Sequence, residues 1–272
     1  VTTSQGWIPP DVDESAPSGA RIYDYLLGGS HNFAVDRVAA EKTIEVMPGI
    51  QQAVRVNRAF LGRVVRYMID QGVRQFLDLG SGIPTVGNVH QVAQSVDPSC
   101  RVVYVDRDRI AVAHSELMLA GNDHAEVVLA DVRDTDSVLN SPQVRRLLNF
   151  DEPVGLLCLL LLHWIPDDDD PRGLMDVYRG ALSSGSHLAI THGTPDAQKE
   201  QIDGVAAVIE RSNADGSLFW RSYEEILAFF GDYELLEPGL VATGHWRPAR
   251  VGDFTKDPEM DQVSYAGVAV KP

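Results

Sequence analysis

The chain has 272 residues, 44% hydrophobic and 23% charged, a composition that fits a folded globular protein with a sizeable core. Acidic residues number 39 against 23 lysines and arginines, and the resulting charge of −16 argues against a nonspecific grip on nucleic acid or an anionic membrane. The two cysteines, Cys100 and Cys158, are too few for a disulfide framework and suit a reducing cytoplasm. The longest apolar run, 154–162, is about half of the roughly 20 residues that cross a bilayer. The first residues also lack the charged-then-apolar pattern of a secretory signal, so a soluble cytoplasmic protein is expected.

Residues 1–18, with Pro9, Pro10 and Pro17, read as an extended arm. The stretch "RIYDYLLGGSHNF" (21–33) reads as about two turns of helix that stop at Gly28-Gly29 and run into His31, Asn32 and Phe33. Val54, Leu61, Val64, Val65 and Met68 recur at spacings of three and four, which predicts a long helix over 51–71 with Asn57 on its apolar face. Residues 19–72 therefore form a helical unit ahead of the first strand. From residue 74 the pattern becomes short apolar strand, loop, helix, repeated. Strands are expected at 74–80, 101–106, 125–131, 153–163 and 185–192, most of them continuously apolar, as in a parallel sheet covered on both faces. Helices are expected near 86–96, 109–120, 135–148, 171–182, 195–211 and 222–230, and late strands at 233–238 and 264–270. The fold class is thus α/β: residues 73–272 form a doubly wound, mostly parallel seven-stranded sheet with an antiparallel C-terminal edge pair.

"FLDLGSGIPT" joins the first strand to a helix, where glycines let a cofactor approach the backbone. A pyrophosphate cofactor wants bare amides with no anion nearby. Here Asp78 stands two residues before Gly80, and Thr85 replaces the third small residue of the dinucleotide fingerprint. An acid in that place suits a cationic ligand, and S-adenosylmethionine (SAM) carries an ammonium and a sulfonium without phosphate. Gly80, Ser81 and Gly82 form the loop. Asp106 ends the second strand 24 residues past Gly82, close to the spacing of the carboxylate that accepts from ribose hydroxyls. Asp131 ends the third strand, where it can accept from the adenine amino group. Arg107 and Val132, their neighbours, are assigned to the same cofactor wall.

The segments "ARIYDYLLGGSHNFAVDR", "VNRAFLGRVVRYM", "FLDLGSGIPTVGNVHQVA", "VVYVDRD" with "AVAHSELML", "LADVRD", "LLHWIPDDDD" and "GSHLAITHGT" resemble a bacterial SAM methyltransferase-like family long catalogued as a domain of unknown function. The resemblance runs from about residue 15 to the C-terminus. It implies a class I methyltransferase fold and SAM as cofactor, without implying a substrate. Ser81 and Ile83-Pro84 depart from the Gly-Thr-Gly wording of the wider class.

Ligands bind beyond the carboxyl ends of strands in such sheets, which makes His163, Trp164 and His192 the acceptor wall. A neutral imidazole at His163, or at His192, can act as general base. No Asp/Asn-Pro-Pro-Tyr motif follows the fourth strand, so nucleic acid and glutamine acceptors are disfavoured and "LLHWIPD" resembles small-molecule methyltransferases. Arg58 and Asn57 are expected to hold the methionine end or to brace the N-terminal segment. The acids 167–170 are expected to cap the next helix rather than to hold a metal. Residues 19–72 are expected to be an N-terminal helical lid, with 21–33 over the pocket: Tyr23 and Asn32 contact SAM or acceptor, Phe33 excludes water, and Gly28-Gly29 is the hinge. The leading expectation is a SAM-dependent methyltransferase acting on a small organic molecule, with a homodimer as the candidate assembly. The alternative is a SAM-binding protein of the same fold, a sensor or a scaffold for other catalysis, that does not transfer methyl.

Overall fold

The computed structural model describes residues 14–272 apart from Val86, Asp215, 250–252, 255–256 and 258–259. Most of the arm expected over 1–18 lies outside the described residues. Five parallel strands come first: β1 (Gln75–Leu79), β2 (Arg101–Asp106), β3 (Ala125–Leu129), β4 (Gly155–Leu159) and β5 (His187–Gly193). β6 (Glu234–Leu235), β7 (Val241–Ala242) and β8 (Ser264–Val270) follow, with β8 antiparallel to β5 and pairing both β6 and β7. The order is β3-β2-β1-β4-β5-β8-β6. Seven strands were expected. The eighth, β7, is two residues long and leaves no periodic pattern to read.

The continuous apolar runs become central strands because both sheet faces are covered. Every residue of β1 is buried, with Phe76 packed in one layer and Leu77 and Leu79 in the other. Helix α3 (Ile50–Asp70) covers the first face through Phe60, Val64 and Met68. It is preceded by α1 (Gly19–Leu26) and α2 (Ala34–Val46). Between strands run α4 (Val89–Val96) and α5 (Arg109–Leu119). The helix expected across 135–148 is two, α6 (Thr135–Leu139) and α7 (Pro142–Leu147), because Ser141 caps the second by accepting from Val144 N at 3.3 Å and Pro142 starts it. Helix α8 (Pro171–Ala181) packs Met175 and Tyr178 on the opposite face, followed by α9 (Lys199–Arg211) and α10 (Tyr223–Leu227). No helix among the described residues is long and apolar enough to cross a membrane.

β4 stops short of the expected 153–163. Leu160 takes a positive φ of 54°, and its N–H is directed at both Thr191 O and Thr191 Oγ1, each at 3.0 Å. The chain then enters a 3-10 turn over Leu162–Trp164, so His163 and Trp164 stand on a turn at the sheet rim. The late strand expected at 233–238 is likewise trimmed to Glu234–Leu235, since Pro238 has no N–H to offer a ladder.

The inward Asn57 of α3 ties these parts together. Thr191 Oγ1 donates to Asn57 Oδ1 at 2.8 Å, Asn57 Nδ2 donates to the Tyr23 hydroxyl at 3.1 Å, and Tyr23 donates on to Val54 O at 3.3 Å. α1, α3, β5 and the turn after β4 are thereby joined through one buried amide. Asn57→Ala strips two buried hydroxyls of a partner and is expected to lower unfolding free energy by about 1–3 kcal/mol; chemical denaturation checks this, and an unchanged midpoint and slope would refute it.

A two-part cavity at the carboxyl rim

The loops leaving β1 and β4 part where the strand order reverses, the place where open α/β sheets hold ligands. A cavity opens there, with about 260 Å³ free to the centres of water molecules. Its lining divides into a polar part from the strand ends and an apolar part from helices and turns.

In the polar part, Gly80 and Gly82 have positive φ of 67° and 65°. A Cβ on Gly80 would meet Leu161 at 2.5 Å, whereas one on Gly82 would have nothing within 4 Å, so the loop leaves space on that side. Asp106 braces the loop: Oδ2 accepts from Gly82 N at 2.6 Å and Oδ1 from Asp108 N at 2.8 Å. Burial pushes its carboxyl up to about 6, against the pull of those two N–H donors. The buried Asp78 carboxyl accepts no hydrogen bond among the described residues, and burial pushes it up to about 7, with Arg58 opposing and Asp106 reinforcing the shift. Arg58 donates from Nη2 to Asn88 Oδ1 at 3.0 Å, while its Nε is buried without a partner, as is Ser81 Oγ. Asp131 is held low chiefly by Arg133, whose Nε reaches both its oxygens at 3.0 and 3.1 Å. Arg107 and Val132 line the same wall.

In the apolar part, Ile22 and Leu26 of α1, Val54 of α3 and Ile202, Val205 and Ile209 of α9 surround the turn that carries His163 and Trp164. Two indoles are seated on glycines. A Cβ on Gly19 would strike Trp164 at 2.6 Å, and one on Gly193 would strike Trp220 at 2.4 Å. The His163 ring centroid is 5.9 Å from that of Trp164 and 5.3 Å from that of Trp220. His163 is 6% exposed and its Nδ1 is sealed without a partner. Burial, then His192 and Arg221, hold its pKa well below the ordinary imidazole value.

His192 is placed behind His163, with centroids 5.4 Å apart, and does not line the cavity. Its Nδ1 lies 2.6 Å from Gly193 O and its Nε2 3.3 Å from Arg221 Nη1. Arg221 can only donate, so the tautomer protonated on Nδ1 satisfies both contacts. Burial lowers this imidazole to about 3, which fits a packed, neutral histidine. Arg221 itself is buried and donates to Leu162 O at 2.9 Å and Ile165 O at 2.8 Å, bracketing the turn that presents His163.

The N-terminal segment covers the cavity by a different part than its sequence suggested. Tyr23 lines the cavity from α1, but its hydroxyl is committed to Asn57 and Val54, and burial raises its pKa, so it is poorly suited to proton transfer. Asn32, His31 and Phe33 do not line the cavity. Asp24 takes His31 and Asn32 instead: its Oδ2 accepts from His31 N at 2.9 Å and from Asn32 Nδ2 at 2.8 Å. A Cβ on Gly29 would overlap the Asp24 carboxyl, so this glycine accommodates packing rather than delivering side chains over the site. Phe33 lies 5.0 Å beneath the Arg21 guanidinium, and Arg21 Nε pairs with buried Asp36 at 2.9 Å. The Ser18 hydroxyl bonds Asp108, which fastens the start of α1 to the loop beside Asp106. The acids 167–170 diverge: Asp167 meets Arg221, Asp169 meets Arg133, and Asp170 caps α8 through Gly173 N at 3.0 Å.

A family profile described as S-adenosyl methyltransferase matches residues 5–272. The chain belongs to the S-adenosyl methyltransferase family. A protein from Thermobifida fusca, provisionally described as a methyltransferase, is 40% identical with a TM-score of 0.89, over 98% of this chain and 99% of its own. A DUF574 family protein from Streptomyces avermitilis is 35% identical with a TM-score of 0.90, over 96% and 99%. The plantazolicin methyltransferase BamL, at 10% identity, a TM-score of 0.52 and coverage of 93% and 95%, shares the fold. No curated protein matches the chain.

SAM, the cofactor of this family, fits the polar part. Its methionine end carries an ammonium and a carboxylate, and the cavity holds a buried carboxyl without a hydrogen bond, Asp78, and a buried guanidinium nitrogen without an acceptor, on Arg58. The open side of Gly82 and the remaining lone pairs of Asp106 suit a ribose. The residues that sequence reasoning passed over are Asp108, Trp220, Arg221 and the α9 face. The α9 residues show helical spacing, but nothing in the sequence says what they face, and Arg221 carries no motif at all.

The raised carboxyls give a pH signature. Folding raises the pKa of Asp78 from 3.8 to about 7, so between those values the folded chain holds a proton that the unfolded chain releases. Stability therefore falls as pH rises through that window. Asp78→Asn is expected to remove part of that slope and to raise Tm above pH 7 in the cofactor-free protein, while weakening SAM binding. Thermal melts from acid to neutral pH check both signs, and a variant less stable than the parent above pH 7 would refute the assignment.

Proposed function

We propose that this chain transfers a methyl group from SAM to a small organic molecule. The single observation that carries the reading is one cavity in which a polar half matched to SAM abuts an apolar half. When bound, the cofactor would supply an electrophilic methyl group, its sulfur keeping the electron pair of the broken carbon–sulfur bond as S-adenosylhomocysteine forms, and the acceptor's proton would leave to solvent water. Asp78, Arg58 and Asp106 bind and orient at the polar end. α1, held down by the Ser18–Asp108 and Tyr23–Asn57 contacts, keeps water from the junction. His163 contributes orientation in its neutral form, since its lowered pKa makes it a weak resting place for a proton at neutral pH. Proximity and alignment are then the main sources of acceleration.

Two measurements test the reading. Asp106→Asn keeps the side-chain size and loses the charge, and is expected to weaken SAM binding by about 1.5–3 kcal/mol in calorimetry. Incubation with methyl-labelled SAM and a small-molecule extract is expected to yield labelled product; binding without any labelled product would favour a SAM-binding sensor instead.

A further inference from the structure

The acceptor half of the cavity has a chemical character of its own. No Asp, Glu, Lys or Arg side chain comes from the faces of α1, α9 and the 218–220 segment that line it. Its polar side chains are already engaged within the protein. The Tyr23 hydroxyl and Asn57 amide bond each other, Thr43 Oγ1 donates to Ala39 O at 3.0 Å, and Trp220 Nε1 donates to Ile202 O at 3.0 Å. The Ser264 hydroxyl is 2.6 Å from Thr243 Oγ1. The His163 ring makes no hydrogen bond among the described residues, and it stands beside Trp164 on the turn after β4. The indoles of Trp164 and Trp220 flank that ring and are backed by Gly19 and Gly193, where even a Cβ would displace them.

We propose that this half takes a neutral, flat, apolar acceptor bearing one hydrogen-bonding heteroatom, of the class of phenols and hydroxylated heteroaromatics, with that heteroatom set against His163. An ammonium or carboxylate on the acceptor would be buried among Ile202, Val205, Ile209 and Leu218, which offer it no partner. A polyhydroxylated molecule would leave most of its hydroxyls unpaired for the same reason. The chain's −16 charge would by itself favour cations, but the acids of this cavity, Asp78, Asp106, Asp108 and Asp131, lie on the cofactor side. The proposal rests on the methyltransferase reading, since that reading makes this half the acceptor's place.

The test is binding rather than turnover, with the cofactor half filled by S-adenosylhomocysteine. Calorimetric titration at neutral pH uses four bicyclic probes of one shape: 2-naphthol, naphthalene, 2-naphthoate and 2-naphthylmethylammonium. 2-Naphthol is expected to bind at least about tenfold tighter than either charged probe. It should also bind about 3–10-fold tighter than naphthalene, an advantage that His163→Phe removes while naphthalene affinity holds. Trp220→Leu, which shortens one flat wall, should weaken both neutral probes. Equal or tighter binding of a charged probe overturns the proposal, and so does the failure of all four on a protein that binds S-adenosylhomocysteine. Failure to bind S-adenosylhomocysteine itself would instead strike the cofactor reading, so the two failures are told apart. If His163→Phe does not fold, His163→Leu takes its place and is expected to abolish the 2-naphthol preference at unchanged naphthalene affinity, and a folded variant that keeps the preference overturns the placement of the heteroatom against His163.

Discussion

A run of hydrogen bonds through one buried amide, Tyr23 to Asn57 to Thr191, holds the N-terminal helices against the sheet. Without it α1 would keep its polar ties to Asp36 and Asp108 but lose its hydrogen-bonded register on α3. With it, α1 is registered on α3 and on the end of β5. The same threonine receives the Leu160 amide at the point where β4 leaves the sheet, so α1 and the turn that presents His163 answer to one anchor. A second tie, from Ser18 to Asp108, runs to the loop beside Asp106. α1, the glycine loop and the turn after β4 are therefore one mechanical unit, although α1 and that turn lie more than a hundred residues apart in sequence.

The electrostatics of the rim work against the fold and toward the ligand. Asp78 and Asp106 are carboxyls that burial makes reluctant to ionise. Such groups are costly in an empty site and become favourable when a cation or hydroxyl donors arrive, so part of the binding free energy is relief of a cost already present in the chain. His163 and His192 show the opposite arrangement: burial keeps both rings uncharged, and Arg221 beside them reinforces it. The rim acids can meet charge, while the neutral His163 and His192 lie in surroundings that exclude it.

Much of this was legible in the sequence, for identifiable reasons. Strands buried on both faces are continuously apolar, so β1 to β5 announce themselves. The glycines and acids of the cofactor loop lie at short, regular distances because one strand-to-helix connection carries them. Asn57 was visible as a polar residue on an apolar face. What sequence reading missed depends on contacts made across the fold. Asn32 reads as a ligand contact until Asp24 is seen to hold its amide, and His192 reads as an acceptor-wall residue until Arg221 is seen to face it. The acceptor half draws on α1, α9 and the segment around Trp220, whose apolar spacing says only that they are buried against something. The β4 run overshoots as a strand because nothing in its composition marks the left-handed turn at Leu160.

Gly19 and Gly193 each support a tryptophan. Substitution at either would push an indole into or out of the apolar part of the cavity. Descent with modification can therefore retune which molecules such a scaffold accepts by single small-residue changes at these two seats, at constant cofactor chemistry. Paralogues diverging in substrate would be expected to differ there first, and to keep the rim acids unchanged.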